Sequence, residues 1–266
     1  MDHAVTAIVR FCRLARSNGV SRLEAFATSA VRDASNGGEM ISAIHSMTGV
    51  EVRILDGQME AQLSADALRR GLYIENGIIA DLGGGSLELA VLRDGKTRDM
   101  ISLPLGTVRL QSRLKGDMKK MRETIAAELD SVKWLGDHAG NGLFPIGGAW
   151  RAFARLKIQD SDYPLDIIHG YTVQTASALE TASLLTGFSK QSLMGLDSVV
   201  SQRRLSLPLA GLLLKELIDR SRPGEITFSA VGAREGYVYQ HMAPDRVADD
   251  PLVAAAAAFA LRDGRF

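Results

Sequence analysis

The chain has 266 residues, enough for one or two globular domains. Apolar residues make up 46% of it and charged residues 23%, which excludes an intrinsically disordered chain. Lysine plus arginine (31) equals aspartate plus glutamate (31), so no net charge favours a nucleic acid or an anionic membrane as a partner. The single cysteine, Cys12, excludes an internal disulfide.

The sequence predicts a soluble, cytoplasmic protein. Its first ten residues lack the basic and apolar regions of a signal peptide. The most apolar late stretch, 252–261, is about half the length that spans a bilayer, and its alanine run at 254–258 predicts a helix. The use of one cysteine also fits a reducing compartment.

The first third of the sequence predicts alternating helices and strands. Apolar residues recur at helical spacing in the first helix: Ile8, Phe11, Cys12, Leu14 and Ala15. A strand over 22–28, a helix over 36–47 capped by Asn36, and a strand over 50–55 follow. Asp56 is expected to cap the next helix, whose apolar stripe is Met59, Leu63, Ala67 and Leu68. This order predicts a parallel α/β layer with right-handed crossovers, and Cys12 is expected to be a buried, unreactive thiol.

After residue 77 the pattern changes to a meander of three strands. Strands over 78–82 and 87–93 are joined by a glycine-rich loop, Asp94-Gly95 predicts a hairpin, and a third strand runs toward residue 103. The remaining predicted elements are helices over 117–136, 149–157, 172–186 and 204–220, and strands over 143–146 and 226–230. We place a domain boundary near residue 75.

The most informative stretch is the loop with its flanking acids, DLGGGSLE at residues 81–88. Three glycines remove every Cβ, so that backbone N–H groups can close on an oxyanion. If residues 83–86 form the loop, Asp81 lies directly across from Glu88, where like charges repel. A divalent cation bridging to phosphate oxygens would remove this penalty. The alternative is a glycine-rich hairpin with two solvated acids at its mouth.

Several segments, in order, resemble one known family. Besides residues 81–88 they are ATSAVRDASN (27–36), TGVEVRILDGQMEA (48–61), SLPLGTVRL (102–110), IGGAWRAFA (146–154) and GAREG (232–236). Together they resemble the exopolyphosphatase and guanosine pentaphosphate phosphohydrolase family (Ppx/GppA), and YPLDIIHGY (163–171) resembles its alphaproteobacterial branch. The resemblance implies an α/β, actin-like ATPase (ribonuclease H-like) fold of two domains with an interdomain cleft. It also implies Mg²⁺-dependent cleavage of the terminal phosphoanhydride of polyphosphate or pppGpp.

The resemblance further implies the domain organisation. Residues 1–75 would form part of the first actin-like domain, 76–240 the second domain with the phosphate loop, and 241–266 a C-terminal helical segment. The family's first phosphate loop, of the type Asp-x-Gly-Ser-Asn-Ser, has no counterpart here, so we expect an incomplete first domain and a chain truncated at both ends. Relatives of this fold often pair, which makes a homodimer a candidate assembly.

Site residues are carried over position by position. Glu60 matches the glutamate that activates the attacking water, Arg32 a phosphate-contacting arginine, and Asp81 and Glu88 the acids that position metal and water. The phosphate-binding positions are Gly83, Gly84, Gly85 and Ser86, and Gly147 and Gly148 in a second glycine turn. From the residues alone a second interpretation stays open at each position: an exposed first-turn acid at Glu60, a surface arginine at Arg32, and a tight turn without ligand at Gly147-Gly148. Arg109 and Arg204 also match basic family positions, but we expect solvated helix charges there.

The implied mechanism is in-line attack of water on a terminal phosphoryl group. Glu60 would orient or deprotonate the water, Mg²⁺ held through Asp81 and Glu88 would screen charge, and loop amides with Arg32 would stabilise the equatorial oxygens.

Departures from the family pattern keep other functions open. Gln62 replaces a common arginine, Leu87 a common threonine, and Ala149 a frequent threonine or serine. One alternative is a catalytically impaired module that binds guanosine polyphosphates or a protein partner. Another is an ATP-dependent sugar or acetate kinase, which shares the acidic glycine loop.

Overall fold

The structure, a computed structural model, describes residues 1–196 and 199–242 and, within the C-terminal stretch, residues 253, 256, 257, 259 and 260. Residues 256 and 257 of the predicted helix at 254–258 are helical, whereas 254, 255 and 258 and most of the predicted segment 241–266 lie outside the described residues. The chain divides into two compact units, Met1–Glu60 and Ala61–Phe266. The sequence puts a domain boundary near 75 instead, and the division into 1–75, 76–240 and 241–266 stays a prediction.

Helices and strands alternate along the described residues. The helices are α1 (Asp2–Ser17), α2 (Ser29–Arg32), α3 (Gly37–Thr48), α4 (Gly57–Gly71), α5 (Thr107–Leu114), α6 (Met118–Asp130), α7 (Gly148–Asp160), α8 (Thr175–Thr186), α9 (Lys190–Met194), α10 (Ser201–Arg204), α11 (Leu207–Ser221) and α12 (Ala233–His241), with a 3₁₀ helix at Lys133–His138. The strands are β1 (Ala25–Ala27), β2 (Val52–Ile54), β3 (Gly77–Leu82), β4 (Leu87–Arg93), β5 (Lys96–Leu103), β6 (Leu143–Ile146), β7 (Tyr171–Gln174) and β8 (Glu225–Phe228). None of these helices is long and apolar enough to cross a membrane.

The first unit contains the predicted parallel strand pair. Strands β1 and β2 are parallel, with Ala25 opposite Val52, and α2 and α3 connect them. Both strands are shorter than the sequence predicts, although Leu55 N–H still donates to Ala27 O at 2.9 Å beyond the end of β2. The strand–helix–strand order and the parallel direction are confirmed.

The predicted apolar face of α1 is partly wrong. Val5 and Val9 pack with Ile44 of α3, and Cys12 is buried as expected, while Phe11 is 70% exposed and Leu14 58% exposed. The apolar residues between 8 and 15 lie on more than one side of the helix; the stripe at positions 5, 9 and 12 faces the core, with Ile8 half-buried beside it. Helical periodicity identified the helix but not its buried side.

The second unit is built on a mixed six-stranded sheet in the order β5-β4-β3-β6-β8-β7. Strands β3, β4 and β5 form the predicted antiparallel meander, whereas β3, β6 and β8 are parallel. The predicted helix over 172–186 is wrong at its start, because Tyr171–Gln174 forms β7, antiparallel to β8. Its residues alternate between buried and exposed, which is the period of a strand.

Different helices cover the two faces of this sheet. Ile78, Ala80 and Leu82 of β3 belong to the large core that includes Trp150 of α7 and the apolar residues of α11. Ile79 belongs to a second cluster with residues of α4. Because successive residues of a strand point to opposite faces, Asp81 lies on the α4 face with Ile79.

Asp56 caps α4, as the sequence predicts. Its Oδ1 accepts a hydrogen bond from the Met59 N–H at 2.7 Å. Asp56→Ala is expected to lower the free energy of unfolding by about 1 kcal/mol, because a first-turn amide loses its acceptor. Urea denaturation followed by circular dichroism measures the change. Asp56→Asn, which can still cap, is the control; equal losses in the two variants would contradict the capping role.

Candidate active site

The two acids that flank the glycine loop lie directly opposite each other. Asp81 of β3 is the cross-strand partner of Glu88 of β4, and Leu82 is the partner of Leu87, so the predicted register is confirmed. Paired residues of neighbouring strands share one face of the sheet. Both carboxylates therefore lie on the α4 face, at the end of the hairpin where the loop begins.

Each carboxylate is held by one serine hydroxyl. Ser64 of α4 donates from Oγ to Asp81 Oδ2 at 2.5 Å, and Ser102 of β5 donates from Oγ to Glu88 Oε1 at 2.8 Å. Ser64 is fully buried, and Ser102 is the cross-strand partner of Glu88. The sequence analysis did not assign either serine to the site. The predicted β4–β5 hairpin does not by itself identify Ser102, because the register shifts by one residue between Ala90 and Leu92; the unshifted register of the turn would place Ile101 opposite Glu88.

The acids lie in a poorly solvated environment. Glu88 is only 4% exposed. Burial raises the pKa of Asp81 above its usual value, and this outweighs the hydrogen bond from Ser64 and the charge of Arg151, which lower it; Glu235 raises it further. Such a pair favours a positive charge close by.

The carbonyl groups of the loop all point to protein donors. The bonds are Thr107 N to Gly83 O (3.1 Å), Val108 N and Arg109 N to Gly84 O (2.9 and 3.0 Å), Arg109 Nε to Gly85 O (2.5 Å) and Gly83 N to Ser86 O (3.0 Å). The first turn of α5 thus supplies most of the donors. Every loop carbonyl is satisfied within the protein.

The hydrogen-bond donors of the loop, unlike its carbonyls, are not satisfied by the protein. Among the residues that the structure describes, the N–H groups of Gly84, Gly85 and Ser86 form no hydrogen bond. The Ser86 hydroxyl is buried and also lacks a partner. Buried polar groups are normally paired, and Ser86 is buried, whereas Gly84 is exposed and Gly85 half-buried. The loop therefore offers three amides and one hydroxyl to an acceptor that is not protein. A cluster of backbone N–H groups of this kind is a receptor for an oxyanion.

The second glycine turn packs against the end of β3. Ile146 of β6 is the partner of Asp81, and Gly147 follows with φ +110°. A Cβ on Gly147 would lie 2.3 Å from Leu82 O, so this position requires glycine for both conformation and space. Gly148 begins α7. The structure therefore brings the turn and Asp81 together.

Gly232, the N-cap of α12, is a further neighbour of Asp81. A Cβ at this position would lie 3.5 Å from Asp81 Oδ2. Its N–H donates to Glu235 Oε2 at 2.9 Å. The motif at 232–236 was recognised in the sequence without a role, and the structure shows that its first residue borders the acid.

The first unit brings Arg32 and Glu60 together. Arg32 Nη1 lies 2.6 Å from Glu60 Oε1 and also donates to Leu55 O at 2.6 Å. Glu60 is 7% exposed, so the alternative of an exposed first-turn acid is wrong. The alternative of a surface arginine is wrong as well, because Arg32 is half-buried and its guanidinium bonds this buried carboxylate.

The expectation of solvated helix charges at Arg109 and Arg204 is also wrong. Both side chains are half-buried, and both donate to main-chain carbonyls. Arg109 Nε bonds Gly85 O, while Arg204 bonds Val199 O at 2.8 Å and Met194 O. Arg109 is thereby part of the support of the loop.

Comparison with known proteins identifies the family. The model of the Ppx/GppA phosphatase family matches residues 1–244. The chain belongs to this family. Exopolyphosphatase 1 of Mycobacterium tuberculosis is 39% identical over 136 residues, which are 50% of this chain and 39% of that protein. Retrograde regulation protein 2 of Saccharomyces cerevisiae is 27% identical over 283 residues, covering 96% of this chain and 48% of that protein. The Ppx/GppA chain thus spans less than half the length of these relatives.

Solved structures show the same fold. An exopolyphosphatase from Cytophaga hutchinsonii has a TM-score of 0.81 at 21% identity, covering 94% of this chain and 83% of that chain. The Ppx/GppA family member of Aquifex aeolicus has a TM-score of 0.73 at 20% identity, covering 90% and 80%. The predicted α/β fold, the actin-like ATPase fold of the Ppx/GppA family, is confirmed.

The acids do not by themselves form a complete metal site. Within the described ranges, no group of three or more histidine, cysteine, aspartate and glutamate side chains is arranged to hold a metal ion. Asp81 and Glu88 offer carboxylate oxygens from two strands, with the open loop donors between those strands. A hard cation bound by these two carboxylates would need phosphate or water oxygens to complete its coordination.

Proposed function

We propose that this chain is the phosphate-binding part of a phosphoanhydride hydrolase, which releases the terminal phosphate of inorganic polyphosphate or of pppGpp. The observation that carries the proposal is the loop at 83–86, whose carbonyls are all satisfied while three amides and the buried Ser86 hydroxyl are left without acceptors. These are the donors that a terminal phosphoryl group requires. Membership of the Ppx/GppA family supports the reaction class.

The acids beside the loop fit Mg²⁺ as the cofactor. Two carboxylates next to an anion receptor repel phosphate, and a cation between them and the substrate would reduce this repulsion. The donor set consists of oxygen atoms only, which suits Mg²⁺. When bound, Mg²⁺ would neutralise charge between the carboxylates of Asp81 and Glu88 and the phosphate oxygens.

Glu60 is proposed as the base that orients or deprotonates the attacking water. Its burial and its hydrogen bond to Arg32 restrict the carboxylate to one orientation, as a water-positioning group requires. In this proposal the main role of Arg32 is to hold Glu60 in place. Direct contact of Arg32 with phosphate stays a prediction. The loop amides would stabilise the equatorial oxygens during in-line displacement, with Gly147 and Gly148 bordering the phosphate.

The partners follow from the same reasoning. Polyphosphate and guanosine polyphosphates end in the same anhydride, so both are proposed substrates. A cytoplasmic location and a homodimer are proposals that rest on composition and on the family, and the balanced charge gives no reason to propose a nucleic acid as partner.

Phosphate release tests the proposal. The 266-residue chain is incubated with polyphosphate or pppGpp, with Mg²⁺ or with EDTA, and free phosphate is measured. Release that needs Mg²⁺ supports the hydrolase. The absence of both phosphate release and substrate binding would contradict it. Phosphate transferred to an acceptor would indicate a kinase.

A binding module is the second candidate. The observation that favours it is the loop at 83–86, whose amides without partners can bind a phosphate whether or not a water is activated beside it. Isothermal titration with pppGpp and with polyphosphate separates the candidates. Binding without turnover supports the module, whereas turnover excludes it.

Ser86→Ala tests the loop separately from the acids. We expect the affinity for inorganic phosphate to fall about tenfold or more, since a hydrogen bond to a charged group contributes about 1.5–3 kcal/mol. The free energy of unfolding should rise by about 1 kcal/mol, because an unpaired buried hydroxyl is removed. Titration calorimetry and urea denaturation measure the two effects. The control is Ser221→Ala, which removes a buried hydroxyl that bonds Leu217 O. A Ser86→Ala variant with unchanged phosphate affinity would contradict the assignment of Ser86 to the phosphate site.

A further inference from the structure

The first turn of α5 determines the orientation of the loop peptides. In a trans peptide the C=O of one residue and the N–H of the next belong to the same plane and point in opposite directions. The carbonyls of Gly83, Gly84 and Gly85 all accept hydrogen bonds from α5. The N–H groups in those three peptides belong to the residues that follow each carbonyl, and these are the three amides without partners. Anchoring the carbonyls on α5 therefore aims the amides away from α5.

Gly106, the N-cap of α5, allows this close approach. A Cβ at this position would lie 2.2 Å from Gly85 C, 2.3 Å from Ser86 N and 2.4 Å from Gly84 C. All three are backbone atoms, so no side-chain rotation could relieve the collision. The φ and ψ of Gly106, −62° and 147°, are open to any residue. Glycine is therefore required here for space against the loop and not for its own backbone conformation.

Arg109 completes the anchoring. Its backbone N–H bonds Gly84 O and its Nε bonds Gly85 O, so one residue fixes two consecutive peptides. Without the Nε bond, the peptide that contains the Ser86 N–H would lose the α5 donor that holds its carbonyl.

We propose that Gly106 and Arg109 are positioning residues, which act through the loop by holding its carbonyls on α5 and so directing its amides toward the phosphoryl group. The proposal rests on the loop being the phosphate site. Neither residue needs to touch the substrate. The role assigned to Arg109 is a hydrogen bond with defined geometry, and not its positive charge.

Three variants separate these possibilities. Gly106→Ala introduces the collision. Arg109→Lys keeps the charge but places a methylene where arginine has Nε, so the bond to Gly85 O is lost. Arg113→Ala, at an exposed arginine in the last turn of the same helix, is the matched control. The chain is labelled with ¹⁵N-glycine and ¹⁵N-serine, and the loop amides are observed by NMR before and during titration with tripolyphosphate in Mg²⁺.

Each readout has an expected result. In ligand-free protein, Gly106→Ala and Arg109→Lys should shift the resonances of Gly84, Gly85 and Ser86, while Arg113→Ala should not. Affinity for tripolyphosphate should fall about tenfold or more in Gly106→Ala and about threefold to tenfold in Arg109→Lys, the range expected for lost hydrogen bonds. The thermal unfolding temperature of Arg109→Lys should stay close to that of the original chain. A merely structural role would instead predict that weaker binding is accompanied by a lower unfolding temperature.

The outcomes distinguish this proposal from the proposed function. If tripolyphosphate does not shift the loop amides of the original chain, the phosphate site is wrong, and the ligand-free spectra still decide whether Gly106 and Arg109 set the loop. Loop resonances that are unchanged in both variants overturn the positioning role. Equal affinity in Arg109→Lys and the original chain also overturns it, because charge alone would then suffice.

Discussion

Glu60→Gln is expected to reduce the rate of phosphate release from polyphosphate by about 10²–10⁴-fold, the range for loss of a general base. Glutamine keeps the shape of the side chain and can still accept the hydrogen bond from Arg32 Nη1, but it cannot take a proton from water. The KM for polyphosphate should change little, since the loop donors remain. Initial rates over a range of polyphosphate concentrations measure both quantities.

Two controls make this result specific. Glu51→Gln alters an exposed glutamate of the same unit and should leave the rate unchanged. Arg32→Lys keeps a positive charge beside Glu60 but loses the planar guanidinium, so it should cause a smaller loss than Glu60→Gln. Thermal unfolding of each variant shows whether the fold is intact. A Glu60→Gln protein that retains most of its rate would remove Glu60 from its proposed role.

The sequence predicts the central geometry of the site because that geometry is local. Once residues 83–86 are taken as the loop between two strands, the sum of paired residue numbers is constant, and Asp81 must face Glu88. Three successive glycines likewise indicate an anion receptor without any knowledge of the rest of the fold. The family resemblance supplied the roles of the residues, and the chain geometry supplied their register.

Contacts between distant elements are not predictable in this way. Ser64 reaches Asp81 only because α4 packs on one face of the sheet with a particular rotation, and periodicity does not fix that rotation. The exposed Phe11 and Leu14 show the same limit in α1, where the apolar residues were visible but the buried side was not. The pairing of Arg32 with Glu60 depends on the fold over 28 positions of the sequence in the same manner.

The proposed anion site requires no net positive charge on the chain, and the net charge is zero. Glycines permit many peptide orientations, including those that would turn carbonyl oxygens toward the ligand. The hydrogen bonds that α5 donates to the loop carbonyls exclude those orientations. In this proposal, the strength of anion binding depends on the segment 102–110, which the sequence indicates only as a motif.

Asp81→Asn is expected to abolish most activity while stabilising the protein. Removing one of the two acids should lower the rate of phosphate release by about 10²–10³-fold, as for other single groups that act on transition-state charge. The free energy of unfolding at neutral pH should rise by about 0.5–2 kcal/mol, since residues of active sites are commonly not optimal for stability. The asparagine Oδ1 can still accept the hydrogen bond from Ser64.

The sign of the stability change follows from the pKa of Asp81, which burial raises in the folded state. Between the unfolded-state pKa and this higher value the folded protein binds more protons, so the free energy of unfolding falls as pH rises through the interval. Above it, the charged carboxylate destabilises the fold by a constant amount, which asparagine removes. The advantage of Asp81→Asn should therefore be largest at neutral pH and shrink as the pH falls toward the unfolded-state pKa. Urea denaturation at several pH values measures this advantage, with Asp99→Asn, at an exposed position of β5, as the control. An Asp81→Asn protein that is less stable than the original at neutral pH would show that neighbouring groups stabilise the charged carboxylate. That result would contradict the raised pKa.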